Sequence, residues 1–211
     1  IIRPLVLALL CYDAGAEGFG IALDHQNLTH RSENVAASLG VSVPIAQDAV
    51  LGRPLRELMV SQASRLRKPK VSGKSLFAQY RAHDGPGNIP DDEMWRLHTD
   101  LEPFDLAELV RSSEEDEVVN GVFATACYPE HGLPLALYLA LKHDCRLSPA
   151  LLANANAGGD NVHRGAVLGL LLGAGADEIP AELKDGLADR DELREEIEAF
   201  ADLAVSVERP F

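Results

Sequence analysis

Asn154-Ala-Asn-Ala-Gly-Gly-Asp-Asn-Val-His-Arg-Gly-Ala-Val-Leu-Gly-Leu-Leu-Leu-Gly173 is the stretch that decides how this chain folds. It holds a diglycine, a polar cluster, and then an apolar run in which Gly165, Gly169 and Gly173 recur every fourth residue. Gly158-Gly159 lets the backbone take conformations closed to other residues and approach a ligand closely. Asp160 or Asn161 then caps a helix whose first N–H groups have no intrahelical partners. Such an end favours anions, phosphates among them. No polar side chain occurs from Gly165 to Gly175, so the helix is expected to be buried on all sides. The repeated glycines leave one face smooth for a second helix. An ordinary capped helix start reads the same way on spacing alone.

The remaining sequence supports a helical protein. At 211 residues and 46% hydrophobic, the chain is long enough for one domain with a sizeable core, although two small ones would also fit. Aromatics are only 5% while Ala and Leu dominate, a composition suited to close-packed helices. A net charge of −14 argues against nucleic acid as a partner, because phosphate backbones need a basic surface. Arg65, Arg67, Lys68, Lys70 and Lys74 form a local basic run, read as a solvated connector or a dock for an acidic partner. Cys11, Cys127 and Cys145 show no metal spacing. Cys11 and Cys127 lie in apolar stretches, where a thiol behaves as a small hydrophobe. That favours a reducing compartment, so the expected location is intracellular and cytoplasmic. Ile1 to Cys11 contains Arg3 and Pro4 and is too short to span a bilayer; it reads as a core helix rather than a signal peptide, and no membrane partner is expected.

Short helices are predicted over Ile2 to Cys11, Glu17 to Asn27 and Ser32 to Leu39. A further one spans Leu55 to Leu66, where Leu55, Leu58, Met59, Gln62 and Leu66 fall at helical spacing after Pro54. Residues 67–103 lose periodicity and read as an irregular excursion with a short helix near Asp91 to Leu97. Trp95 is expected to anchor it to the body. Phe104 to Val110 is helical, and the acidic knot Glu114 to Glu117 suits a helix N-terminus. Helices are predicted over Val118 to Cys127 and Pro129 to His143, with a short one from Pro149 into the Asn154 loop. Asp189 to Val207 reads as a surface helix with Leu193, Ile197, Phe200 and Ala204 on one face. Glu130-His131 is read as a helix-start or surface pair. His25 and His30 are five apart across a turn, so a shared ligand set is not forced. No nucleophile elbow, phosphate loop or Cys-x-x-Cys pair occurs. The expected fold is an all-α, multi-helix bundle.

The opening stretch resembles the C-terminal signature of the ADP-ribosylglycohydrolase family, crystallin J1 relatives included: Asn-x-Gly-Gly-Asp-Thr-Asp-Thr-x-Gly-Ala-x-x-Gly-x-x-x-Gly-Ala. Asn156, Gly158, Gly159, Asp160, Gly165, Ala166, Gly169, Gly173 and Ala174 fall in register with it. Upstream, Leu28-Thr29-His30 matches an element near the family's cleft. The resemblance implies the same all-α bundle and hydrolysis of the bond joining ADP-ribose to a protein or small-molecule acceptor. It also implies paired magnesium ions beside the ribose and backbone amides on the diphosphate. Where the signature has its second acid and final Thr, this chain has Val162 and His163. Valine has no lone pair, and imidazole suits a hard cation poorly, so magnesium is doubtful here and Asp160 remains the one candidate metal ligand. The family's other metal acids form an Asp-Asp motif near its N-terminus. Asp13 and Asp24 are single acids, and Asp91-Asp92 lies in a loop-like stretch. The expectation is therefore one domain over 1–211, the C-terminal portion of such a fold.

His163 and Arg164 oppose the dipole at the helix start. One reading gives Arg164 and the helix N–H groups a pyrophosphate, with His163 as ligand or general acid/base. The other pairs both with carboxylates of an acidic protein. The candidate set is thus His163 as catalytic residue, with Asn156, Gly158, Gly159, Asp160, Asn161 and Arg164 binding ADP-ribose or an ADP-ribosylated substrate. The alternative is a non-catalytic binder or a crystallin-like structural relative.

Overall fold

Leucine- and alanine-rich segments build the body of the protein, which a computed structural model describes over residues 1–206. The chain runs through α1 (Ile2–Leu10), α2 (Gly15–Asn27), α3 (Glu33–Val50) and α4 (Leu55–Ala63) before a strand, β1 (Arg67–Pro69). Next come α5 (Gly73–Ala82), α6 (Asp91–Thr99), β2 (Leu101–Pro103), α7 (Leu106–Ser112) and α8 (Glu115–Val118). The last part holds α9 (Pro129–Lys142), α10 (Leu147–Ala157), α11 (Asn161–Ala174), α12 (Ala181–Lys184) and α13 (Arg190–Ser206). The all-α expectation holds, with one small sheet added.

Helix α9 is the central rod. Every side chain from Leu133 to Leu141 is buried, and the helix touches α3, α4, α7, α10, α11 and β1. Each fully buried leucine there contributes about 2 kcal/mol by leaving water. Pro129 opens α9 in its first turn, where a missing N–H leaves nothing unpaired. Against this rod α11 lays Val167, Leu168, Leu171 and Leu172. Its glycine face meets α10, as smooth-face packing predicts: a Cβ on Gly165 would stand 2.8 Å from Asn154 Nδ2, and one on Gly169 3.8 Å from Leu151 Cδ2. The helix is not buried on all sides, however. Ala166 is exposed, and Val162 is 75% exposed. Its outer face is apolar only because it is made of small residues, which present little surface to water.

The region 67–103 is ordered secondary structure rather than an irregular excursion. Strands β1 and β2 pair antiparallel, with Arg67 opposite Pro103, Lys68 opposite Glu102 and Pro69 opposite Leu101. Lys68 pairs with Glu102, and Lys70 lies 2.7 Å from Asp100, so part of the basic run is neutralised within the chain. Ser72 caps α5 by accepting from the Ser75 N–H at 3.2 Å. Asp91, Asp92 and Glu93 occupy the first turn of α6, where carboxylates favour the helix dipole. Leu76, Ile89, Leu97 and Ala124 form a small core of their own. Trp95 is 67% exposed and anchors nothing.

Three further expectations change. The helix foreseen over Val118 to Cys127 ends at Val118. Asn120 then takes φ +60°, and its Oδ1 accepts from the Thr125 N–H at 2.9 Å and the Thr125 hydroxyl at 2.8 Å, a side-chain turn that competes with helix. Cys127 is exposed rather than packed. Glu130 and His131 are buried rather than superficial. The surface helix expected near the C-terminus is α13, which packs on α1 and leaves Leu193 and Ile197 exposed; Val207 lies outside the described residues. No helix among the described residues is long and apolar enough to cross a membrane.

Candidate functional site

The reversal from α10 into α11 depends on two glycines. Gly158 takes φ +66° and ψ −156°, and Gly159 takes φ +62°; a side chain is strained in either conformation. Gly159 lies so close to Thr125 that a Cβ there would overlap its carbonyl oxygen and hydroxyl. This approach lets the Asp160 N–H donate to the Thr125 carbonyl at 2.8 Å. Asn154, buried near the end of α10, donates through Nδ2 to the Asn161 carbonyl at 2.9 Å. Asn161 answers by donating to the Ala155 carbonyl at 3.2 Å.

Arg164 locks the reversal from beneath. Its Nε donates to Asn154 Oδ1 at 2.6 Å, and its Nη2 donates to the Gly158 carbonyl at 2.9 Å and the Asn154 carbonyl at 3.3 Å. The residue is 5% exposed, and its Nη1 has no partner. Burial pushes the guanidinium below its ordinary range, while nearby Asp160 opposes the shift. Asp160 occupies the N-cap position of α11 but makes no side-chain capping bond. Its Oδ1 instead meets His163 Nδ1 at 2.6 Å. His163 is largely exposed, so its other ring nitrogen faces solvent.

These three residues border a cleft of about 640 Å³. Its walls come from the start of α1, the α2–α3 connection, residues 126–129 with the start of α9, and the start of α11. Asp160, His163 and Arg164 line it. Thr29 and His30 line the same cleft, hydrogen-bonded to one another at 2.8 Å, so the two stretches singled out in the sequence do converge. Asn156, Gly158, Gly159 and Asn161 are not among the lining residues. Asn156 is exposed on α10, while the glycines and Asn161 shape the turn behind the cleft.

Several residues of the site were not foreseen. Arg3, His25, Cys127 and Tyr128 line the cleft. Tyr128 is stacked on His98, with ring centroids 3.6 Å apart. His98 Nδ1 lies 2.7 Å from Glu130 Oε1, and both residues are buried, so an internal pair backs this wall. His131 beside it is fully buried; its Nδ1 accepts from the Ala124 N–H at 3.1 Å. Burial lowers its pKa to about 4, with Glu130 opposing and His98 adding to the shift. Burial also raises the Tyr80 phenol above its ordinary range. Glu130 and His98 are 32 residues apart, and no sequence spacing announces such a pair.

Residues 1–210 match the ADP-ribosylglycohydrolase family, and the chain belongs to that family. No significant match was found among curated proteins or among solved structures. The family is all-α, generally metal-dependent, and acts on ADP-ribosylated substrates. The residues described here do not fit a magnesium pair. Val162 brings no lone pair, the Asp160 carboxylate is engaged with His163, and the described residues contain no group of three His, Cys, Asp or Glu side chains able to hold a metal.

Proposed function

We propose that this protein hydrolyses the N- or O-glycosidic bond between ADP-ribose and a protein or small-molecule acceptor, in the cleft at the start of α11. One observation carries the reading: the 2.6 Å contact between His163 and Asp160 at the mouth of that cleft. A carboxylate only accepts hydrogen bonds, so the proton of a neutral His163 resides on Nδ1 and leaves Nε2 as a free base. Asp160 thereby orients the ring rather than binding a metal. His163 Nε2 takes a proton from the water that attacks the anomeric carbon, and the same nitrogen returns it to the departing amine or oxygen. Water adds, the glycosidic bond breaks, and the proton count closes. Arg164, Gly158, Gly159 and Asn161 hold the turn that presents this pair, with Asn156 at its outer edge.

The test is release of ADP-ribose from a modified peptide. His163→Ala should slow release by about 10²–10⁴-fold, the usual contribution of a general acid–base group, and Asp160→Ala should slow it as well. Unchanged release in both variants refutes the reading. A second reading, a non-catalytic ADP-ribose binder or a crystallin-like structural relative, is favoured by Val162 in place of an acid. It predicts binding without release, or neither.

A further inference from the structure

One part of the cleft lining, residues 126–129, rests on a side chain from a distant segment. His98 lies near the end of α6, in the region that folds around its own small core of Leu76, Ile89, Leu97 and Ala124. Its ring stacks on Tyr128, with centroids 3.6 Å apart and planes inclined by 29°. Tyr128 lines the cleft and is half-buried, whereas His98 is buried. A ring that reaches the ligand space is thus backed by one that does not.

Three neighbours orient the His98 ring. Glu130 Oε1 lies 2.7 Å from Nδ1, so the proton on that nitrogen points at the carboxylate. Asn34 of α3 donates through Nδ2 to the His98 carbonyl at 3.2 Å, and reaches Glu130 Oε2 at 3.5 Å. His131 stands edge-on at 86°, its ring centroid 6.3 Å away. A buried pair such as His98 with Glu130 adds little net stability, because desolvation offsets attraction. What it supplies is direction. An aliphatic side chain at 98 would fill space without offering Tyr128 a flat, oriented surface.

We propose that His98 is a positioning residue for the cleft: held by Glu130 and Asn34, it fixes the ring of Tyr128 and so couples the α5–α6 region to ligand affinity. Side chains that face a ligand work best when buried hydrogen bonds behind them lock their placement. Tyr128 comes from a different segment of the lining than His163 and Asp160, so the effect falls on binding rather than on proton transfer. The kinetic half of this inference rests on the hydrolase reading; the stacking half does not.

The experiment separates the ring from the hydrogen bond. His98→Asn keeps an N–H donor for Glu130 and removes the stacking surface. His98→Phe combined with Glu130→Leu does the reverse, since a buried pair is replaced as a unit with less damage than by removing one partner; Asn34 keeps its bond to the carbonyl of residue 98. Each protein is followed by its melting curve, by NMR of ring-labelled tyrosine with Tyr128 assigned through Tyr128→Phe, and by ADP-ribose release from a modified peptide. In the parent, the Tyr128 ring protons should lie upfield, within the ring current of His98. His98→Asn should fold, return those protons toward the position of an exposed tyrosine, and raise KM about two- to tenfold while kcat holds, the worth of one aromatic pair. The His98→Phe, Glu130→Leu protein should regain an upfield Tyr128 and the parent KM. If His98→Asn fails to fold, the comparison passes to His98→Leu against His98→Phe, each made with Glu130→Leu. Tyr128 protons that lie at the exposed position in the parent, or do not move when the ring at 98 is lost, overturn the inference whatever the activity. A moved Tyr128 with an unchanged KM overturns it too. If the parent binds ADP-ribose without releasing it, the hydrolase reading falls, and the Kd from calorimetry takes the place of KM in the same comparison. Absence of binding as well overturns both.

Discussion

Replacing Gly159 by alanine probes the turn that supports the whole site. The residue has φ +62°, and an added Cβ would lie 2.5 Å from Thr125 Cβ and closer still to that residue's carbonyl oxygen and hydroxyl. The left-handed conformation alone costs an L-residue about 1–2 kcal/mol. The overlap must then displace a backbone carbonyl that accepts the Asp160 N–H, on a residue that Asn120 holds by two hydrogen bonds. Forcing such a shift typically adds about 1–3 kcal/mol. The expected loss is about 2–5 kcal/mol, a fall in Tm on the order of 5–15 °C for a chain of this size. Gly158→Ala is the matched control, since φ is +66° there but nothing lies within 4 Å of the added carbon. It should lose only the strain, about 1–3 kcal/mol. Thermal and urea unfolding followed by circular dichroism measure both. If Gly159→Ala is as stable as Gly158→Ala, the Thr125 contact does not hold the turn and the reasoning fails.

Two other perturbations reach the site from different directions. Asn154→Ala removes the 2.6 Å acceptor of Arg164 Nε and the donor to Asn161; urea denaturation should show a loss of about 2–4 kcal/mol, and a change below about 1 kcal/mol would deny Arg164 its pinning role. His131 has a folded pKa of about 4 against an ordinary 6.5, so the unfolded chain takes up its proton first as the pH falls. Its neutral form therefore burdens stability little above pH 6.5, and stability drains away as the pH drops from there toward 4. The loss is on the order of 3 kcal/mol. His131→Gln should flatten that part of the stability profile, and a variant whose profile runs parallel to the parent protein excludes His131 as the cause.

The sequence foretold the helical class and the α10–α11 reversal because both rest on local rules: helical spacing of Leu and Ala, and a diglycine that stops one helix before the next begins. The burial of α11 was overestimated because glycine and alanine count as apolar yet occupy little surface. The β1–β2 pair escaped notice because each strand is three residues long and carries a proline, too short to show alternation. Asp160, His163 and Arg164 were visible as candidates through their position at a helix start. What each does was not. Arg164 finds Asn154 ten residues back across the turn, and Tyr128 is backed by a His98–Glu130 pair spanning 32 residues. Contacts made by folding rather than by spacing leave no periodic trace.

The central claim is that the mouth of α11 is where this protein meets ADP-ribose. A crystal structure of the protein soaked with ADP-ribose addresses it most directly. The account predicts the ligand between α1 and α11, with a ribose oxygen or anomeric carbon facing His163 Nε2. Ligand bound elsewhere on the surface, or a cleft that stays empty at saturating ligand while the lattice leaves it open, would contradict it.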